Sequence, residues 1–266
     1  MPSRPRRRFR HLPLSPRHVA GGWPRSVGMM QAVRFAPPCS ASDLRSICSW
    51  AGLSFAARAH PGLPARALRR LVRAAARNSG TNSYHHHGHF AHVIMAAGVL
   101  AAMAGIRGQD RALLVLAALV HDLDHQGRCG NRRLYWQEDW SARITCRVLL
   151  GCDGNAGHAV RLGNMIRATA LTADRTRSLI LRSDRLARLL TDADIFASVL
   201  YDREMSVRMT AALKLEQRLS GTPATLNAAF AKTIRRDGLQ SVVATRLLDA
   251  VQANRVASRN VMTLGS

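Results

Sequence analysis

From residue 63 onward, apolar residues recur every third or fourth position through most of the chain. In Leu63–Arg77, Leu68, Leu71, Val72 and Ala75 share one helical side opposite arginines, and Pro64 suits the first turn. After a break at 78–82, the pattern predicts a helix from near Ser83 to about Ala104, ended by Gly105-Ile106-Arg107-Gly108. Asp110 is placed to cap the next helix, Arg111–His121, and Gln126–Asn131 reads as a loop. Further helices are predicted at about 135–150, 156–170, 174–199, 201–219, 225–236 and 238–256. No stretch alternates apolar and polar residues over a useful strand length, and no repeat is evident. The expected fold is all-α, a compact bundle of orthogonally packed helices.

Composition narrows this reading. The chain has 266 residues, enough for one good core or one domain with a tail. Residues 1–40 hold eight arginines, several prolines and no acidic residue. They read as a basic, disordered tail before a helical domain at 41–260. No secretory signal is visible there. The longest apolar runs, Val93–Ala104 and Ala112–Val120, fall short of the roughly 20 residues that span a bilayer. The five cysteines are odd in number and form no CxxC pair. That argues against a disulfide framework or zinc ribbon and for a reducing, cytoplasmic setting. The formal net charge is +23, nearly all of it arginine, since Lys214 and Lys232 are the only lysines. These arginines read as scattered over solvated helix faces, without interleaved aromatics. No nucleic-acid partner is expected, whereas a small phosphate-bearing substrate would be attracted.

Seven of the eleven histidines lie between His85 and His125, in two clusters beside alanine-rich helices. The first is Tyr84-His85-His86-His87-Gly88-His89-Phe90-Ala91-His92, the second His121-Asp122-Leu123-Asp124-His125. On a continuous helix His85, His89 and His92 share a face. One imidazole could then bind metal while its neighbour faces substrate. His121-Asp122 closes an apolar helix, where both side chains can reach one metal centre. Burying so many ionisable groups without a cation is costly, so the clusters point to divalent metal. Asp192 and Asp194 are both candidates for a further ligand, but two positions apart they must face differently. Trp136, Trp140 and Tyr135 follow the second cluster and are placed to wall a pocket or pack in the core.

These residues resemble the catalytic domain of the class I 3′,5′-cyclic nucleotide phosphodiesterases, within the HD superfamily of metal phosphohydrolases. The motifs are Tyr84-His85-His86-His87-Gly88-His89-Phe90-Ala91-His92-Val93, then His121-Asp122-Leu123-Asp124-His125-Gln126-Gly127, then Asp192-Ala193-Asp194-Ile195. The likeness spans roughly residues 78–200. It implies a helical bundle of the HD phosphodiesterase type. It implies that His89, His121, Asp122 and Asp194 bind the tighter of two divalent ions, zinc in many members. Asp122 would bridge to a second ion, magnesium or manganese. His85 would be the general acid that protonates the leaving ribose oxygen, and His125 would stand on the substrate side or behind the ligands as their support. The implied activity is hydrolysis of a cyclic nucleotide phosphodiester. The chain departs from the family pattern with His86 for Asn, His92 for Asp, Gly130 for a loop Asn and Ala170 for the Asp of an "ATD" helix. The Glu-Asn-His-His segment is absent, and no purine-clamping glutamine and phenylalanine are recognisable. Two readings therefore compete with the leading one: an HD-type nucleotidase or phosphomonoesterase, and a non-catalytic helical binding protein with a relic metal site. The sequence carries no sign of oligomeric state.

Overall fold

The computed structural model describes residues 15–23, 26, 28, 30, 40–77, 82–127, 136–170, 175–200 and 203–250. Cys39, Cys129, Gly130, Asn131, Tyr135 and Asp174 lie outside them. All regular structure among the described residues is helical, as the pattern predicts. The helices are α1 (Pro16–Gly21), α2 (Ala41–Ala51), α3 (Ala65–Arg77), α4 (His87–Met103), α5 (Gly108–Val120) and α6 (Trp136–Leu150). They continue with α7 (Ala156–Arg167), α8 (Arg175–Ser183), α9 (Arg185–Leu200), α10 (Arg203–Gln217), α11 (Pro223–Asp237) and a helical stretch at 242–250, α12.

The core is organised around α4 and α5. Every residue from His87 to Ala101 is buried, as is every residue from Ala112 to Val120. A helix apolar on all sides must be enclosed by others. Here α1, α2 and α9 pack on α4, while α3, α7 and α9 pack on α5. Gly98 permits one close approach: a Cβ there would sit 3.0 Å from the Ala51 Cβ and 3.2 Å from its Cα. The amphipathic α3 buries Ala67, Leu68, Leu71, Val72 and Ala75 and exposes its arginines.

Several predicted boundaries move, each for a local reason. The segment expected to be a tail contains α1, capped by Ser15 and anchored by the fully buried Val19. Ser40 starts α2 with a reciprocal capping box to Asp43. Helix α5 begins at Gly108, earlier than a cap at Asp110 would allow. Asp110 lies in its first turn and accepts from Arg161 Nη1 at 2.7 Å. The single helix expected over 174–199 is two helices. Asp184 interrupts it, accepting the Leu186 amide at 2.8 Å and holding Arg161 through two nitrogens.

Gly98→Leu is expected to force α2 from α4 at a cost of about 1–3 kcal/mol. Thermal unfolding should then drop by about 2–4 °C for each kcal/mol. An unchanged melting temperature would show that the α2–α4 contact is loose.

Candidate metal centre

Three core helices deliver four side chains to one point. Helix α4 presents His89 near its start. His121 and Asp122 follow the last turn of α5, and α9 brings Asp194. His89 Nε2 lies 3.1 Å from His121 Nε2, 3.1 Å from an Asp122 oxygen and 3.2 Å from an Asp194 oxygen. His121 Nε2 lies 3.0 and 3.3 Å from the same two carboxylates. All four candidate ligands thus converge.

The donor set fits a divalent cation. Tetrahedral bonds of about 2.0–2.1 Å place ligand atoms roughly 3.3 Å apart, close to the separations seen. His121 Nδ1 donates to the Ala118 carbonyl at 3.0 Å, which leaves Nε2 as the lone-pair nitrogen facing the centre. The electrostatics agree. Burial alone would lower the His121 pKa, but Asp122 and Asp194 raise it well above its ordinary value. Burial would raise both carboxyls, yet His121 above all holds Asp122 and Asp194 below the usual carboxylate range.

His85 reaches the same centre by an unexpected route. The chain before α4 is not helical, so His85 and His89 are not one helical turn apart. Helix α4 starts at His87, and the extended His86 caps it, its ring Nδ1 accepting the Gly88 amide at 2.9 Å. The amides of Tyr84 and His85 instead donate to Glu216 on α10, at 2.7 and 3.0 Å. Glu216 also hydrogen-bonds His85 Nδ1, and His85 Nε2 points towards Asp122 at 3.8 Å. Burial lowers the His85 pKa, but Asp122 and Glu216 outweigh it and leave the ring more basic than usual. Burial likewise opposes Glu216 ionisation, and the bond to His85 with the two amides brings it down to about 2. His92, expected on the same face as His85 and His89, is instead fully buried with its ring 6.2 Å from that of Phe196.

His125 stacks on His85 with ring centroids 3.7 Å apart. Its Nδ1 accepts the Gly127 amide at 3.0 Å, so its Nε2 carries the proton of the neutral ring. Burial and the neighbouring His85 charge bring it down to about 4. Gly127 is tightly enclosed: its φ is +73°, and a Cβ would meet the Asn82 amide oxygen at 2.7 Å. Asn82 in turn donates to the His125 carbonyl at 2.9 Å. Helix α6 clamps the other side of this loop. Ser141 donates to the Leu123 carbonyl at 2.8 Å, and the Trp140 indole donates to Asp124 at 3.0 Å.

Asp192 is the losing candidate of its pair. Its carboxylate turns away to accept the Gln240 and Ser241 amides ahead of α12, each at 2.8 Å. Two acidic residues escaped the sequence reading. Glu216 sits on the apolar stripe of α10 with Met205 and Met209, and a carboxylate on such a stripe was the available signal. Glu138, on α6, is held protonated more readily than usual, by burial first and then by Asp122 and Asp194. It followed no recognised motif.

No known family model matches the sequence, and no curated protein does. Among solved structures, the chain is similar to the phosphodiesterase domain of a rhodopsin phosphodiesterase from Salpingoeca rosetta. The TM-score is 0.52 at 15% identity, over 88% of this chain and 95% of that domain. The helical arrangement is therefore that of a phosphodiesterase domain.

Asp194→Ala is expected to weaken Zn²⁺ binding by calorimetry by more than about 100-fold, beyond the usual loss for an outer partner. Asp192→Ala should keep the affinity and cost about 1–2 kcal/mol of stability through the lost cap. Equal effects on metal affinity would remove the distinction between them.

Proposed function

We propose that this chain is a metal-dependent phosphohydrolase that opens the 3′,5′-phosphodiester of a cyclic nucleotide. The observation that carries the reading is the convergence of His89, His121, Asp122 and Asp194 beside the His85–Glu216 pair. His89, His121, Asp122 and Asp194 would hold the tighter ion, with zinc suited to that donor set. Asp122 would be shared with a second, magnesium or manganese. When bound, the two ions supply the charge that makes water nucleophilic and that offsets charge on the phosphoryl oxygens.

The protein's own groups supply the rest. His85, made more basic than usual by Asp122 and Glu216 against the effect of burial, donates from Nε2 to the leaving ribose oxygen. Glu216 accepts from Nδ1 and so directs the proton on Nε2 towards the substrate. His125 is neutral and offers Nε2–H to a phosphoryl oxygen. Its stacking on His85 restrains that ring. Burial at the start of α4 and the end of α5 keeps bulk water from the reacting atoms. The likeness of fold to a phosphodiesterase domain supports the reaction class. The substrate is the finer part of the proposal, because no purine-clamping pair was recognised.

Purified protein with Mn²⁺ or Mg²⁺ is expected to convert cyclic AMP or cyclic GMP to the monophosphate. Asp122→Ala should lower turnover by more than about 10³-fold, as loss of a residue acting in a unit does. Turnover of nucleoside monophosphates alone would replace this reading with a phosphomonoesterase. Glu216→Gln is expected to reduce kcat by about 10–100-fold. It should also move the alkaline limb of the pH profile downward. The sign follows from His85: losing the carboxylate lowers the imidazole pKa, so the acid form disappears at lower pH. An unmoved limb would remove Glu216 from the proton path.

A further inference from the structure

Helix α3 gathers charge that had read as scattered along the chain. Its exposed positions include Arg66, Arg69, Arg70, Arg73 and Arg77, all on the side opposite the buried Leu68, Leu71, Val72 and Ala75. Successive members lie one to four residues apart and fall within an arc of about 100° on the helix, so they form one row about 16 Å long. The helix carries no acidic residue. On other helices three arginines are paired, Arg143 and Arg167 with Asp139 and Arg161 with Asp110 and Asp184. Among the described residues no carboxylate lies within ion-pair distance of the five on α3. Arg70 alone of them has a recorded contact, from Nη1 to the Cys152 sulfur at 3.6 Å. Like charges three and four residues apart weaken a helix. An uncompensated row of five is therefore a cost, and a polyanion laid along it would relieve that cost.

The chemistry of the row selects among polyanions. Guanidinium forks bind phosphate oxygens in pairs. Duplex nucleic acid presents a phosphate charge about every 1.7 Å of axis over both strands, so the length of duplex beside the row carries about ten, and those on the near side face the arginines. The apolar side of α3 is committed to the core, and no apolar side chain interrupts the arginines. The helix therefore has nothing to insert into a bilayer. With no exposed aromatic in the row, it offers no platform for unstacked bases. We infer that the arginine face of α3 docks on the phosphate backbone of double-stranded nucleic acid, independently of base sequence. This surface contains none of the residues of the metal centre, so the inference stands apart from the proposed hydrolysis.

The test is fluorescence anisotropy of the full chain with a mixed-sequence 24-base-pair DNA duplex at several salt concentrations. A triple variant, Arg66→Gln, Arg69→Gln and Arg73→Gln, is expected to bind at least about tenfold more weakly. Its salt slope should be shallower by about two to three, from roughly 0.9 per lost phosphate contact. The matched triple Arg107→Gln, Arg182→Gln and Arg246→Gln removes the same charge elsewhere and is expected to bind nearly as well as the parent. Arg→Lys at the three α3 positions should keep most of the slope, which guards against a folding defect. Equal weakening by the two glutamine triples would overturn the inference in favour of net charge alone. Failure to bind the duplex, with α3-dependent binding to phosphatidylserine vesicles, would overturn it in favour of a membrane surface.

Discussion

Two carboxylates and two imidazoles share a space in which their facing atoms stand 3.0–3.3 Å apart. The rest of the structure is arranged around making that tolerable. Unpaired charge in an apolar interior is among the most expensive things a fold can contain. This chain places it where α4 begins and α5 ends, so that two wholly buried helices supply rigid positions while the charges meet only at their tips. The third wall, α9, contributes Asp194 from a helix whose other acidic side chain, Asp192, is occupied with α12.

The groups around the centre show the same economy. Glu216 serves the amides of Tyr84 and His85 and the His85 ring together, which draws α10 against the start of α4. The loop after α5 is held by backbone-directed contacts from Asn82, Gln137 and Ser141. Gly127 lies between Asn82 and Glu216 with no room for a side chain. Each of these residues touches the site through another, and so each sets orientation more than chemistry.

Much of the fold was legible because helical periodicity is a local property. The apolar runs of α4 and α5, the amphipathic α3 and the glycine breaks all report on neighbours within a few residues. The four candidate ligands were legible through a resemblance resting on two short motifs. Asp194 was separable from Asp192 only by that resemblance until α12 was in view. The start of α4 was misplaced because His86 is extended and caps the helix, while a distant carboxylate, 131 residues from His85, holds the chain before it. His92 does lie on α4 with His89, but almost one turn deeper, where its ring lies beside Phe196 of α9.

By itself, then, the sequence determined the helical class, the extent of the central helices and the residue types able to bind metal, since these follow from side-chain periodicity and donor chemistry. Tertiary structure alone decided which Asp of α9 faces inward, that Glu216 governs His85, and that five arginines of α3 stand unpaired in one row. Each of those depends on what another helix places opposite, and a contact between segments a hundred residues apart leaves no trace in local pattern.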